Sequence, residues 1–170
     1  LSVKKNCVQT AELQNIFFFE EIGIGLINSL YNLQNIIIKF SPDLIIYSGI
    51  CGALTSELNI GDILLPHKSY LYENGYYYGE TNFAFENTVK YDDLYCNENS
   101  VLNYFKKINI RSCNIASGNS AVFSKQKRFE IKNALNADII DMESFSVAFL
   151  CNKYKIKLFT IKSVSDTIDD

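Results

Sequence analysis

The chain of 170 residues has no tryptophan, one histidine, one methionine and two prolines. Each shortage excludes something. The single histidine, His67, rules out a His-rich metal centre and leaves a Ser-His-Asp or Cys-His arrangement with one candidate base. Following Pro66 at the end of an apolar run, it reads as a loop residue. With only Pro42 and Pro66, and no Gly/Ser-rich tract or repeat, the sequence offers no linker, so a single domain over residues 1–170 is the economical reading. The apolar stretches Leu44-Ile45-Ile46-Tyr47 and Ile36-Ile37-Ile38 fall far short of the roughly 20 residues that cross a bilayer. Leu1-Ser2-Val3-Lys4-Lys5-Asn6 lacks the continuous apolar core of a secretory signal, and a cytoplasmic location without membrane contact is expected. A basic excess is missing as well. Sixteen Lys and Arg stand against nineteen Asp and Glu, a net charge of −3, which argues against nucleic acid as a partner. The five cysteines, Cys7, Cys51, Cys96, Cys113 and Cys151, form an odd set with no C-x-x-C pair, so buried free thiols are expected and no metal is implied.

What is present is an alternation. Short β-branched runs at Asn15–Phe19, Asp43–Ser48, Asp62–Leu65, Ile108–Ala116, Ala137–Ile140 and Leu158–Ser163 predict strands. Between them, helical spacing runs through Leu26–Lys39, Ser100–Lys107, Lys125–Leu135 and Glu143–Tyr154. This is the pattern of an α/β sheet covered by helices, with ligands beyond the carboxyl ends of the strands. From Ser69 to Tyr95 the pattern breaks into an aromatic-rich excursion, read either as aromatic surface for a ligand or partner or as a hairpin packing its own rings.

Several motifs fail. Gly23-Ile24-Gly25 has Asn28 where a dinucleotide fingerprint needs its third glycine, no P-loop is present, and Ser117-Gly118 is not a nucleophile elbow. Three segments remain. Ser48-Gly49-Ile50-Cys51-Gly52 runs a strand into closely spaced glycines that admit a small ligand to backbone N–H groups. Ala116-Ser117-Gly118-Asn119-Ser120 is a small-residue turn leaving an apolar strand. Asp141-Met142-Glu143 followed by Lys162-Ser163-Val164-Ser165-Asp166 places one carboxylate at a helix start and another just past a strand, so that both can meet at one sheet edge.

In this ordered set the chain resembles the superfamily of purine nucleoside phosphorylases and methylthioadenosine/S-adenosylhomocysteine nucleosidases, from about Gly23 to Asp169. The resemblance implies a three-layer α/β/α sandwich with a mixed, partly barrel-like central sheet, assembled as a homodimer or higher homo-oligomer, acting on a purine nucleoside without a cofactor. It implies Asp166 as the acid facing purine N7, and Glu143 as the acceptor for the ribose hydroxyls with Met142 under the sugar. Ser117, Gly118, Ala121 and Val122 would hold the base, with Ala121 standing where nucleosidases often carry Phe. Gly49, Ile50, Cys51, Gly52 and Lys162 would hold water or phosphate. Glu12 is the nearest candidate for the water-activating glutamate of the nucleosidases. Tyr47 and Ile50 stand where hexameric phosphorylases carry a phosphate-binding Arg and Ser, which favours water over phosphate as acceptor. A phosphorylase and a binding protein without turnover are the alternatives. The region before Phe17 is shorter than in relatives and Asp170 falls where they continue into a final helix, as in a compact branch or a domain shortened at both ends.

Overall fold

The computed structural model describes residues 17–78, 82–85, 95–107 and 109–169. Its elements are α1 (Leu26–Phe40), β1 (Leu44–Ala53), β2 (Ile63–Leu71), β3 (Gly75–Tyr78), β4 (Asn82–Phe85), α2 (Asn99–Lys106), β5 (Arg111–Ser117), α3 (Lys125–Leu135), β6 (Ile139–Asp141), α4 (Ser144–Tyr154) and β7 (Lys157–Asp166). The alternation read from the sequence is realised as an α/β fold with a mixed sheet.

Local chemistry sets the helix limits. α1 buries Ser29, Leu33 and Ile37 at a spacing of four, one side of a 3.6-residue helix. It stops at Ser41, whose left-handed backbone (φ 45°) returns its N–H to the Ile37 carbonyl, and Pro42 follows. α3 starts at Ser124, whose hydroxyl accepts the Lys127 N–H, and ends at the left-handed Asn136. α1 packs against α4 on one side of the sheet. Ile131 and Leu135 of α3 join Leu54, Tyr72, Ala116, Ala137 and Ile140 in a second apolar cluster.

Five strands close on themselves in the order β1-β6-β5-β2-β7. β1 runs parallel to β7, β2 to β5 and β5 to β6, while the β1–β6 and β2–β7 pairs are antiparallel. One element differs from the sequence reading. The expected strand at Asn15–Phe19 is absent over Phe17–Phe19, where Phe18 stacks on Phe40 with ring centroids 4.3 Å apart. Asn15 and Ile16 lie outside the described residues.

β2 also outruns its expected end at Leu65. It passes through Pro66 because the pairing with β5 shifts between Pro66 and Ser69, so no ladder bond depends on the missing proline N–H. His67 therefore lies in a strand and not in a loop, its ring against Tyr95, and burial lowers its pKa. The excursion after Ser69 contains the antiparallel pair β3–β4.

Along β7 burial alternates, with Leu158, Thr160, Lys162 and Val164 inward. Tyr47 on β1 meets Lys162 inside the barrel, whereas Leu44, Ile46 and Ile50 lie on the outer face of the same strand. The four described cysteines are buried and free, and burial pushes the Cys51 and Cys151 thiols up to about 12.

One glycine is fixed by packing. A Cβ at Gly118 would stand 2.5 Å from Cε1 of the buried Tyr72 ring, whose hydroxyl donates to the Ser120 carbonyl. Gly118→Ala is expected to destabilise the chain by about 1–3 kcal/mol through overpacking. In a Tyr72→Ala background the same change should cost much less, as thermal melts of the two pairs will tell.

Candidate active site

One rung of the barrel organises the rim. Tyr70, Ala116, Ile140, Gly52 and Asp166 are successive Cα partners across β2, β5, β6, β1 and β7, and the next rung pairs Leu71, Ser117 and Asp141. Asp166, the last residue of β7, is thus separated from Ile140 by the single strand β1. Three residues beyond Ile140 the chain reaches Glu143 at the start of α4. The two carboxylates singled out in the sequence belong to the same end of the barrel.

Each is held by a different part of the chain. The Glu143 Oε1 accepts the Gly25 N–H at 2.8 Å, bringing the Gly23-Ile24-Gly25 turn to the rim. Gly25 has φ 85°, which suits glycine, and the neighbouring Leu26 N–H is accepted by Asn119 Oδ1 at 3.0 Å. Glu143 leaves the capping of its own helix to Asp141, whose Oδ2 accepts the Ser144 N–H at 3.1 Å and its hydroxyl at 2.6 Å. Asp166 Oδ2 is paired with Arg128 of α3, and Ser165 Oγ lies 2.8 Å from its other oxygen.

The floor is a buried ion pair. Lys162 Nζ lies 2.7 Å from Asp141 Oδ2 and donates to the Tyr47 hydroxyl at 2.9 Å, with both charged side chains almost wholly excluded from solvent. Burial alone would lower the Lys162 pKa, but the Asp141 carboxylate and the Tyr47 hydroxyl outweigh it and hold the ammonium above its usual range. Ser117 Oγ donates to Asp141 Oδ1 at 2.6 Å and accepts the Phe145 N–H at 3.1 Å.

These contacts change what several expected site residues can do. Lys162, expected to hold water or phosphate, is buried, and its charge is paired with Asp141 inside the barrel. The Ser117 side chain is fully buried and committed to Asp141, so only its backbone can serve a base. Ile50 projects from the outer face of β1, 68% exposed, and Cys51 is buried with Sγ 3.6 Å from the Ser163 carbonyl. Gly49 faces Lys162, since a Cβ there would meet Nζ at 2.9 Å. Gly52 faces Asp166 and Arg128. Gly118 is buried beneath Tyr72, Ala121 is exposed, and the Val122 carbonyl accepts Arg128 Nε at 2.7 Å. Met142 is half-buried between Asp141 and Glu143. Glu12 lies outside the described residues.

Three participants went unassigned in the sequence reading. Asp141 was legible as one of two carboxylates in Asp-Met-Glu, but its partner is 21 positions away. Arg128 sits among Lys125, Lys127 and Lys132 and reads as part of a basic surface; the signal was its register with Ile131 and Leu135, which puts it on the buried stripe of α3. Tyr47 was read only as standing in place of a phosphate-binding Arg, and its contact with Lys162 depends on the pairing of β1 with β7.

Burial, foremost, raises the Glu143 carboxyl above its usual range; the Gly25 N–H opposes this and the Asp141 carboxylate adds to it. The folded chain therefore binds this proton more tightly than the unfolded chain. Stability from this group is present below the ordinary carboxyl range near about 4.3 and is lost as pH rises through the raised folded value. Glu143→Gln keeps an acceptor for Gly25. It should melt level with the parent in acid and gain on it as pH climbs, in thermal melts from acid to neutral; a parent that gains on the variant would reverse the sign.

Comparison with known proteins identifies the family. The phosphorylase superfamily model matches residues 10–170. An aminodeoxyfutalosine nucleosidase of Campylobacter jejuni is 30% identical over 154 residues, 84% of this chain and 64% of that protein. A 5′-methylthioadenosine/S-adenosylhomocysteine nucleosidase of Staphylococcus aureus is 30% identical over 153 residues, 85% of this chain and 65% of that protein. Among solved structures, the methylthioadenosine/S-adenosylhomocysteine nucleosidase of Campylobacter jejuni has a TM-score of 0.66 at 29% identity, covering 86% of this chain and 66% of its own. The futalosine hydrolase of Helicobacter pylori, at 23% identity and a TM-score of 0.72, adds a likeness of fold. The chain spans about two thirds of the length of these relatives, 64% of the first.

Proposed function

Because the chain belongs to the phosphorylase superfamily, we propose that it cleaves the N-glycosidic bond of a purine nucleoside of the adenosine or methylthioadenosine type, with water as the acceptor. The observation that carries this reading is the pair of carboxylates, Asp166 and Glu143, on one barrel rim above the neutralised Lys162–Asp141 pair. As the bond between C1′ and the purine nitrogen breaks, its electron pair passes to the base and positive charge grows on the ribosyl ring. Asp166 gives a proton to N7, and the Arg128 guanidinium meets the carboxylate left behind. Glu143 accepts hydrogen bonds from the ribose 2′ and 3′ hydroxyls, with Met142 beneath the sugar. Backbone groups of the turn from Ser117 to Val122 hold the base, and Glu12 is retained as the proposed activator of water.

Water is favoured over phosphate because the cation beside the Gly49 turn, Lys162, is already neutralised by Asp141. We place the enzyme in the cytoplasm, a reading supported by four buried free thiols. No helix among the described residues is long and apolar enough to cross a membrane. We further propose a homo-oligomer, supported by the exposed stripe of Ile27, Tyr31 and Ile38 on α1; sedimentation at the 19.4 kDa of one chain would contradict it.

The purified chain should release free base from adenosine, methylthioadenosine or S-adenosylhomocysteine at equal rates with and without phosphate, followed by chromatography. Release that depends on phosphate would make it a phosphorylase. Nucleoside-dependent thermal stabilisation without release would make it a binding protein.

A further inference from the structure

We propose that Arg128 is a positioning residue for this reaction, holding the Asp166 carboxylate at the barrel mouth and tying its placement to the loop that receives the base. The inference rests on the nucleosidase reading and adds to it a residue from a helix that carries none of the motifs of the site.

The Arg128 side chain is 6% exposed, and its donors go to four places. Nε donates to the Val122 carbonyl at 2.7 Å, Nη1 to the carbonyls of Ala53 at 3.2 Å and Thr167 at 2.7 Å, and Nη2 to Asp166 Oδ2. One planar group thus joins α3, the base loop, the end of β1 and the end of β7. Three backbone carbonyls fix its plane, so the direction of the bond to Asp166 is set by the scaffold and not by the carboxylate.

Two further observations fit a role in positioning rather than in stability alone. A Cβ at Gly52 would lie 2.8 Å from Asp166 Oδ2 and 3.3 Å from Arg128 Nη2, so the pair occupies space that only a glycine leaves free. Ser165 Oγ lies 2.8 Å from Asp166 Oδ1 and 3.1 Å from the Cys51 carbonyl, with one proton for the two acceptors. Oδ1 can therefore turn to a ligand nitrogen while Ser165 keeps a partner. Oδ2 is anchored and Oδ1 is exchangeable, as a group that must meet a base in one orientation requires.

The test is a double-variant cycle on base release: the parent, Arg128→Met, Asp166→Asn and the two combined, with Arg128→Lys as the conservative variant. Arg128→Met should lower kcat about a hundredfold, the scale of a catalytic group displaced by about 1 Å, with little change in KM. Arg128→Lys should recover part of that loss. In the Asp166→Asn background Arg128→Met should make no further difference. Gly52→Ala, whose Cβ would press on both Asp166 and Arg128, should reproduce the kcat loss, and Arg128→Lys decides the matter if Arg128→Met fails to fold. Parental turnover in Arg128→Met, or an equal further loss in the Asp166→Asn background, overturns the inference while the nucleosidase reading stands. A parent that releases no base overturns both.

Discussion

Asp166→Asn should reduce base release about a thousandfold, within the hundredfold to ten-thousandfold span that general acids contribute. Asn offers the same shape and an acceptor for Arg128, but no proton for N7. Because Asp166 is about a third exposed, the variant should keep a melting temperature close to that of the parent, which separates lost chemistry from lost fold. Turnover near the parental rate would remove Asp166 from the mechanism and leave Glu143 to act with the ring-charge stabilisation alone.

The second large effect is on stability. Asp141→Ala strands the Lys162 ammonium inside the barrel with the Tyr47 hydroxyl and ring beside it, and it removes the carboxylate that accepts the Ser117 and Ser144 hydroxyls. Breaking a buried pair on one side typically costs about 3–5 kcal/mol, which for a chain of this size lowers the melting point by about 10 °C. Adding Lys162→Met should restore much of the loss, since removing both charges leaves no uncompensated ion. A double variant no better than Asp141→Ala would show that the serine network, and not the ion pair, carries the effect. Base release should fall in Asp141→Ala too, because Asp141 starts the helix that presents Glu143.

Periodicity made most of the fold legible. α3 lies where its spacing predicts, α1 and α4 differ by one residue at one end, and α2 is shifted by one residue at both. What periodicity could not convey was closure. The order of strands around the barrel depends on long-range pairing, and the Phe17–Phe19 run, with every local mark of a strand, packs Phe18 on Phe40 instead. Pro66 misled for a related reason: a strand tolerates proline where its ladder slips, and the slip is set by the partner strand.

The candidate site was legible in its glycines and carboxylates, because a close approach demands a residue without a side chain and proton transfer demands an acid. It was least legible in its cations. Lys162, at the right place for an anion, is consumed by Asp141, whereas Arg128, in a helix that reads as basic surface, is the residue that reaches Asp166. A sequence shows which charges exist. Which of them neutralise one another is decided by the barrel, where Lys162 and Asp141 are opposed across the interior.

The most direct test of the account is to incubate the chain with methylthioadenosine in ¹⁸O-water and follow free adenine and the isotopic mass of the released sugar together. The account predicts one ¹⁸O at the sugar's anomeric carbon for each adenine released, at a rate indifferent to phosphate. Adenine released with a sugar 1-phosphate, or no adenine at all, would contradict it.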